Sequence, residues 1–414
     1  MLKKIRVQQL RLGMRIHELC GSWMDHPFWR TKFVITDPDD VRLIAESGIK
    51  EVWIDDEKGL DVSATSEDGE EANARVDAVL MNAAAITGTS QQVQPLKRVG
   101  MAEEVQRAAR ICASAKAAVI SMFHEVRMGK AISRAAMGQL VDEISSSVMR
   151  NPGALISLAR LKTADDYTYL HSVAVCALMV ALAGKLDFDK TQTREAGMSG
   201  LLHDLGKALM PMDVLNKPGK LTDEEFRIIK RHPEEGHRAL LEGGTVGAVP
   251  LDVVLHHHEK VDGSGYPHRL TSEQISVFAK MGAVCDVYDA ITSNRPYRAG
   301  WDPAESISKM TEWCNGHLDA RIFQAFVKSI GIYPVGSLVR MASGRLAVVI
   351  EQSEKSPLTP RIKVMFSTKS ITYIPPEVID LARPGVTDKI VAREDPQKWS
   401  IRNLDQFWAN SSGN

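Results

Sequence analysis

The sequence predicts a mainly α-helical protein in which a small α+β unit precedes the helices and a small β unit follows them. Between about residues 102 and 330 the apolar residues recur at helical spacing, with few strand signals. The stretches before and after this region contain short β-branched runs separated by turn residues. Because 414 residues exceed one usual hydrophobic core, more than one domain is expected.

The first unit is predicted to span residues 1–56. Asp37-Pro38 favours the start of a helix, Gly48 favours its end, and Glu51–Ile54 has the composition of a strand. Residues 57–100 collect Ser, Thr, Glu, Asp, Gly and Gln with little periodicity, which indicates a flexible linker.

Helices are predicted from residue 101 onward. Residues 101–153 carry Ala, Met, Val and charged residues at helical spacing, and we expect a connector of two helices that Asn151-Pro152-Gly153 ends. Residues 154–332 continue as helices and contain nearly all the residues that could carry chemistry. This stretch is therefore the predicted catalytic domain.

Residues 333–414 are predicted to form a β appendage and tail. Ser343-Gly344 is typical of a hairpin turn, and the polar end of the chain is weakly patterned and is assigned no function. The predicted strands are Ser337–Met341, Leu346–Glu351 and Arg361–Phe366.

Composition argues against several partners and compartments. The 51 basic and 52 acidic residues give no general attraction to a nucleic acid polymer or an anionic membrane. The five cysteines show no CxxC spacing and are odd in number, which fits a reducing compartment. No apolar segment follows the basic N-terminus, and the longest mainly apolar run, Val173–Ala183, is about half a membrane span. We therefore expect a cytoplasmic protein without a membrane segment.

Histidines are concentrated in the predicted catalytic domain. Seven of the twelve lie within about a fifth of the chain, and three are consecutive, just before Glu259 and the turn at Asp262–Gly265. Such clustering favours a metal-dependent enzyme. The seven are His171, His203, His232, His237, His256, His257 and His258.

A helix predicted over Arg194–Ala208 places His203, Asp204 and Lys207 on one stripe with Gly200. Glycine inside a helix costs about 0.5–1 kcal/mol relative to alanine. We therefore expect something to approach the backbone closely on this stripe, such as a metal-bound substrate.

The helix predicted around Asp286 repeats this design, because Asp286 and Asp289 share a stripe with small residues. A buried carboxylate needs a cation or a basic side chain as a partner. Arg295 and Arg298, just downstream, are candidates for binding either a carboxylate or a phosphate.

The candidate ligands exceed what one tetrahedral ion can use. A mixed set of imidazoles and carboxylates suits two octahedral transition metal ions bridged by a carboxylate. Phosphodiester hydrolysis is the reaction that such a pair serves best.

These residues carry a family resemblance from about Leu155 to Ile330. The chain resembles the HD-GYP family of cyclic di-GMP phosphodiesterases, and residues 5–56 resemble a domain often found ahead of bacterial HD-GYP modules. The motifs that carry the resemblance are His203-Asp204 with Gly206-Lys207, Arg231-His232-Pro233, His257-His258-Glu259, Asp262-Gly263-Ser264-Gly265-Tyr266-Pro267, Asp286-Val287-Tyr288-Asp289-Ala290 and Arg295-Pro296-Tyr297-Arg298.

The resemblance implies a helical HD-type phosphohydrolase domain that hydrolyses cyclic di-GMP to pGpG and onward to GMP. It implies that Asp204 bridges two ions, that Lys207 holds a phosphate oxygen, and that Tyr266 contacts the guanine or ribose. Asp289, Arg295 and Arg298 would line the substrate surface. The implied metal ligands are His171, His203, Asp204, His232, His257, His258 and Asp286.

The resemblance also limits the cofactor. Family members with three metals carry a glutamate four residues before the first histidine, where this chain has Tyr167, so we expect two divalent ions. Iron, manganese and nickel all suit the donor set. His237 and His256 are expected to be structural.

Two alternatives stay open from the sequence. A metal phosphohydrolase of this kind could act on another nucleotide, which turnover on a nucleotide panel would reveal. The chain could instead be a non-catalytic cyclic di-GMP sensor, or a module that binds diguanylate cyclase (GGDEF) proteins through the turn Gly263–Pro267. A homodimer is also considered. Metal content without turnover would favour the second alternative.

Overall fold

The computed structural model describes residues 2–7, 10, 12–20, 33–35, 41, 51–55, 98–160, 167–217, 221–244, 246–293, 300–314, 316–353, 356–401 and 404–409. The chain divides into two compact units, residues 1–74 and residues 75–414. The first is a small sheet, and the second contains the helices and a second sheet. The predicted fold class, a mainly α-helical protein with a small α+β unit before the helices and a small β unit after them, is confirmed.

The first unit is an antiparallel sheet in the order β1-β4-β2-β3. Alternating apolar residues bury one face, and Met14, Ile16, Ile35, Val52 and Ile54 are fully buried there. The predicted strand at Glu51–Ile54 is confirmed as β4, whereas the helix predicted between Asp37 and Gly48 lies outside the described residues. The strands are β1 (Leu2–Arg6), β2 (Arg15–Cys20), β3 (Phe33–Val34) and β4 (Glu51–Asp55).

In the described part of the second unit, the first helices are the two predicted ones, α1 (Met101–Arg127) and α2 (Arg134–Arg150). Buried Glu104 holds them together, because its carboxylate accepts two hydrogen bonds from Arg150, both at 2.7 Å, and one from Ser147. These helices share one apolar cluster with those that follow, and the boundary of the connector stays a prediction.

Eleven helical segments follow between residues 152 and 330 in the described part of the chain, and the candidate site lies among them. Several begin at the capping residues that sequence favours, such as Asp189, Thr222, Ser276 and Asp319. They are α3 (Pro152–Arg160), α4 (Tyr167–Lys185), α5 (Lys190–Leu202), the 3₁₀ helix Leu205–Leu209, α6 (Met212–Leu215), α7 (Asp223–Ile229), α8 (His232–Gly243), α9 (Ala248–His256), α10 (Val277–Thr292), α11 (Pro303–Trp313) and α12 (Ala320–Ile330).

Helices α4 and α5 pack closely at Gly200. A Cβ atom placed there would lie 2.8 Å from the backbone of Cys176 in α4, so only glycine fits. We predicted a close approach on this stripe and attributed it to a metal-bound substrate. That attribution was wrong, because the approaching group is a neighbouring helix.

Helix α4 is long and apolar enough, over Thr168–Lys185, to span a membrane by composition alone. Most of this window is buried inside the protein, and Val175, Leu178 and Leu182 pack among α10 and α12 residues. Burial against other helices is the pattern of a core helix rather than of a lipid-facing one.

The chain continues as an antiparallel sheet of five strands in the order β8-β7-β6-β5-β9. The three predicted strands and the turn at Gly344, which has a φ of 80°, are confirmed. Two further strands and a short helix form in the tail that had no predicted element. The elements are β5 (Leu338–Met341), β6 (Arg345–Glu351), β7 (Arg361–Ser367), β8 (Thr372–Asp380), β9 (Ile390–Arg393) and α13 (Gln406–Ala409).

Trp408 of α13 joins this sheet to the helices. Its side chain is fully buried in the apolar cluster of α1, α2 and α3, and the guanidinium of Arg160 lies 5.7 Å from its ring centroid. In the same region Glu351 of β6 accepts hydrogen bonds from the Met101 backbone N–H and from the Asn151 side chain. The β unit therefore completes the helical core.

Candidate metal centre

His203 and Asp204 lie where a helix ends. We predicted one helix over Arg194–Ala208, but α5 stops at Leu202 and a 3₁₀ helix begins at Leu205. The break turns both side chains inward, and each is at most 1 % exposed. The single stripe predicted through Lys207 is therefore two short elements that meet at the site.

The other candidate ligands come from four helices. His171 lies in the second turn of α4 and Asp286 in the middle of α10. His232 is the first residue of α8, and the 3₁₀ turn approaches it so closely that a Cβ atom on Gly206 would clash with its carbonyl. His257 follows the last residue of α9, and His258 comes next.

These side chains form two groups, and Asp204, a member of the first, also lies next to the second. Within each group, one ligand atom from each residue lies within 4.8 Å of the others. The first group is Asp204, His232, His257 and His258, and the second is His171, His203 and Asp286. The structure therefore brings all seven predicted ligands together.

The two carboxylate oxygens of Asp204 face different groups. Oδ1 lies 3.2 Å from Nε2 of His232 and 3.8 Å from Nε2 of His257. Oδ2 lies 3.4 Å from Nε2 of His171 and 3.4 Å from Nε2 of His203. A carboxylate in this position can contact two cations at once.

Backbone carbonyls fix the tautomers of three histidines. The Nδ1–H of His203 donates to Gly200 at 2.9 Å, that of His232 to Ile229 at 2.8 Å, and that of His257 to Val253 at 3.1 Å. Because each ring donates through Nδ1, each presents a lone pair at Nε2.

The lone pairs point at one another. Nε2 of His232 and Nε2 of His257 are 3.4 Å apart, and no proton is left between them once both Nδ1 atoms are donors. Oδ1 of Asp204 is buried and lacks a hydrogen-bond partner among the described residues. Buried acceptors without donors are costly, so this donor set fits a cation that accepts their lone pairs.

His171 is oriented by a carboxylate instead. Its Nδ1–H donates to Oδ2 of Asp289 at 2.6 Å, and its Nε2 lies 3.0 Å from Oδ1 of Asp286. Asp289 is 2 % exposed and also accepts a hydrogen bond from the Ser293 hydroxyl. Asp289 was predicted to line the substrate surface, and the structure places it behind His171.

Burial and charge set the protonation of the site. Burial opposes a charge on His171, but hydrogen bonds to Asp204, Asp286 and Asp289 outweigh it and raise its pKa to about 10. Burial and the neighbouring His232 lower the pKa of His258 to about 3, and burial together with His258 lowers the pKa of His257 well below its usual value. Both imidazoles are therefore neutral at pH 7, as metal ligands must be.

The carboxylates stay ionised despite their burial. Burial raises the pKa of Asp204, but the charge of Lys207 and the hydrogen bond from His171 outweigh it and hold that pKa well below its usual range. Burial also opposes the charge on Asp286, and the hydrogen bond from His171 lowers its pKa in spite of this. Nζ of Lys207 lies 2.5 Å from Oδ2 of Asp204, where it can reach a phosphate at the site.

The turn after His258 lies over the first group. The ring of Tyr266 stacks on His258 with centroids 4.8 Å apart. Buried Glu259 holds the turn, because its carboxylate accepts from the backbone N–H groups of His268 and Leu270 at 2.6 and 3.0 Å. Glu259 had no predicted role, although a carboxylate next to a glycine-rich turn is a signal for such a bond.

The other histidines and arginines singled out in the sequence are not among the ligands that the structure brings together. His256 is structural as predicted, because Nδ1 bonds to Asp252 at 2.7 Å and Nε2 bonds to His268 at 2.9 Å. His237 belongs to neither group of ligands. Arg295 and Arg298 lie outside the described residues.

Two family models match the chain. A model described as an HD domain matches residues 145–322, and a domain of unknown function, DUF3391, matches residues 2–137. With the helical fold and the two His/Asp groups, the first match defines an HD-type phosphohydrolase that binds divalent metal.

The chain is also similar to characterised relatives. It is 55 % identical over 418 residues to a cyclic di-GMP phosphodiesterase of Pseudomonas aeruginosa, covering 100 % of this chain and 98 % of that protein. The chain therefore belongs to the HD-GYP family of phosphodiesterases.

Two further relatives match less than half of the chain. A cyclic di-GMP phosphodiesterase response regulator of Xanthomonas campestris is 41 % identical over 154 residues, covering 35 % of this chain and 40 % of that protein. A 3'3'-cGAMP-specific phosphodiesterase of Vibrio cholerae is 34 % identical over 166 residues, covering 40 % and 38 %.

Proposed function

We propose that this protein hydrolyses cyclic di-GMP to the linear dinucleotide pGpG, and pGpG onward to GMP. The observation that carries the proposal is Asp204, whose two buried oxygens face two separate groups of ligands. Full-length similarity to a cyclic di-GMP phosphodiesterase supports the substrate.

We propose two ions for each chain. His232, His257 and His258 would hold one, His171, His203 and Asp286 would hold the other, and Asp204 stands where it could serve both. A pair of divalent ions supplies a water nucleophile at neutral pH and neutralises charge on the phosphate. Iron, manganese and nickel suit these donors, so activity rather than occupancy identifies the working metal.

The protein's own groups position and neutralise the substrate. Lys207 holds a phosphate oxygen beside Asp204, and its ammonium offsets negative charge that develops during the reaction. Tyr266 offers a ring face for a guanine at the edge of the site. Arg295 and Arg298 are proposed to bind the phosphate or guanine edges through paired hydrogen bonds.

Asp289 has a different role from the one predicted from sequence. We propose that it orients His171 and fixes its tautomer, because the bond from Nδ1 directs Nε2 toward Asp204 and Asp286. This is the arrangement of a ligand histidine backed by a carboxylate.

The site argues for an enzyme over a sensor. A binding surface for cyclic di-GMP, or for a diguanylate cyclase (GGDEF) partner, does not need seven ligand residues, six of them buried, in two adjoining groups. We also propose that the protein binds a GGDEF partner and that it forms a homodimer. The cysteine usage supports a cytoplasmic location.

The experiment is metal analysis of protein purified without oxygen, combined with product chromatography on a nucleotide panel. We expect two ions per chain, and cyclic di-GMP turned over faster than 3'3'-cGAMP, with pGpG appearing before GMP. A count near three would refute the two-metal proposal. Metal content with no turnover of any dinucleotide would favour the sensor, and faster turnover of another cyclic dinucleotide would reassign the substrate.

A further inference from the structure

Lys230 lies at the rim of the metal centre and is not used by the site described above. It follows the last residue of α7 and precedes His232 by two positions. Its Nζ lies 4.8 Å from the ring centroid of Phe226 and 5.2 Å from that of Tyr266. Through Tyr266, which stacks on His258, it is close to the first group of ligands.

The ammonium group of Lys230 differs from those of the other lysines nearby in the groups that it contacts. Lys207 pairs with Asp204 at 2.5 Å, and Lys217 pairs with Glu225 at 2.6 Å. Among the residues that the structure describes, no carboxylate lies within ion-pair distance of Lys230. Aromatic faces attract an ammonium only weakly at a half-buried position, so its charge stays available to an anion.

A cyclic dinucleotide needs more than one cation. It carries two phosphodiesters, and only one of them can lie on the ligand groups at a time. Lys207 is held at Asp204 and serves the phosphodiester at the metals. A cation for the second phosphodiester would have to stand beside the ligand groups rather than at Asp204, and Lys230, 5.2 Å from the ring centroid of Tyr266, is in such a place.

We infer that Lys230 binds the second phosphodiester, the one that is not being cleaved, and so distinguishes a cyclic dinucleotide from a simple phosphodiester. This inference rests on the proposed function. An ammonium is a compact point charge that suits a phosphate oxygen. Binding at this distance from the reacting bond orients the substrate without taking part in the chemistry.

The test compares Lys230→Met, Lys230→Arg and the control Lys185→Met on the metal-loaded full chain. Lys185 is an exposed lysine at the end of α4, so its change removes the same charge far from His171. Two substrates are used: cyclic di-GMP and bis(p-nitrophenyl) phosphate, which has a single phosphodiester. Melting temperature and metal content accompany each variant.

We expect Lys230→Met to raise KM for cyclic di-GMP about tenfold, with little change in kcat, because one charge-assisted contact is lost. Lys230→Arg should retain most of the affinity. Hydrolysis of bis(p-nitrophenyl) phosphate, the melting temperature and the Lys185→Met kinetics should be unchanged. The KM difference should shrink as salt is raised, because a half-exposed charge is screened.

Three results would overturn the inference. An unchanged KM would mean that Lys230 does not contact the substrate. Equal losses on both substrates would mean that it only positions Tyr266 and His258. If Lys230→Met lowers the melting temperature, the kinetics are measured on Lys230→Gln instead. An unchanged KM for cyclic di-GMP in Lys230→Gln would then overturn the inference. Wild-type protein that cleaves bis(p-nitrophenyl) phosphate but not cyclic di-GMP would refute the proposed function instead.

Discussion

His256 and His257 are neighbours in sequence and differ in what their rings contact. Both ring nitrogens of His256 are hydrogen-bonded, one to Asp252 and one to His268. The ring of His257 bonds through Nδ1 to a backbone carbonyl, and its Nε2 faces another lone pair on His232. A histidine whose two nitrogens are both satisfied within the protein stabilises the fold, whereas one that presents a lone pair to another acceptor is built for a cation.

The largest expected difference in activity is between substitutions of the two aspartates that lie beside these histidines, Asp204 beside His257 and Asp252 beside His256. Asp204→Ala should reduce kcat/KM by about a thousandfold or more, because the carboxylate that faces both ligand groups is lost and water is no longer activated. Asp252→Ala should keep the metal content and most of the activity. Rates and metal analysis check both, and an active Asp204→Ala would contradict the two-metal proposal.

Substitutions of His256 and His257 should differ in their effect on metal content. His257→Ala should lose one ion per chain and most of the activity, because the first group keeps only two imidazoles and Asp204. His256→Ala should keep both ions and destabilise the fold by about 1–3 kcal/mol, since Asp252 is left with fewer partners. Metal loss from His256→Ala, with metal retained in His257→Ala, would show that His256 is the ligand and His257 the structural residue.

A carboxylate behind a ligand should have an intermediate effect. Asp289→Asn should weaken metal affinity about 10- to 100-fold, because His171 loses its orienting partner. The pKa of His171 is raised to about 10, so at lower pH a cation must displace a proton, and affinity should rise as pH approaches that value. The increase of metal affinity with pH should be smaller in Asp289→Asn than in the wild-type protein. Metal titrations at several pH values measure this, and identical pH dependence in the two proteins would contradict the role of Asp289.

The smallest effect on activity is expected at a charge satisfied entirely within the fold. Buried Glu104 accepts hydrogen bonds from Arg150 and Ser147, and these lower its pKa although burial opposes its charge. Its stabilisation is therefore present above the unfolded value near 4.5 and is lost as pH falls through the folded pKa.

Glu104→Gln should lower the free energy of unfolding by about 2 kcal/mol at pH 7 and by less in acid, with metal content unchanged. Denaturant unfolding at several pH values measures this. A deficit that grows in acid would show that another group is responsible.

Motif chemistry was predictable from sequence because it depends on residue types at fixed spacing. All seven predicted ligands meet in space, and the strands around Gly344 form where β-branched runs predicted them. Contacts between distant segments were not predictable. The approach of Cys176 to Gly200 and the bond from His171 to Asp289 join different helices, and nothing local in either segment signals its partner.

Local breaks were also missed where packing overrides periodicity. The stripe through His203 and Lys207 has helical spacing, yet α5 ends at Leu202. The weakly patterned tail forms β8 with mostly exposed residues, so it lacks the apolar alternation that would have predicted a strand.

The buried position of Trp408 has a consequence for how the protein is made. Synthesis proceeds from the N-terminus at about 5–20 residues per second, so α1, α2 and α3 leave the ribosome about 10 to 50 seconds before the tryptophan that fills their shared cluster. Until then these helices expose the apolar surface that Trp408 and β6 later cover. The nascent catalytic region is thus expected to need protection from aggregation, and to become competent only when the β unit has folded onto it.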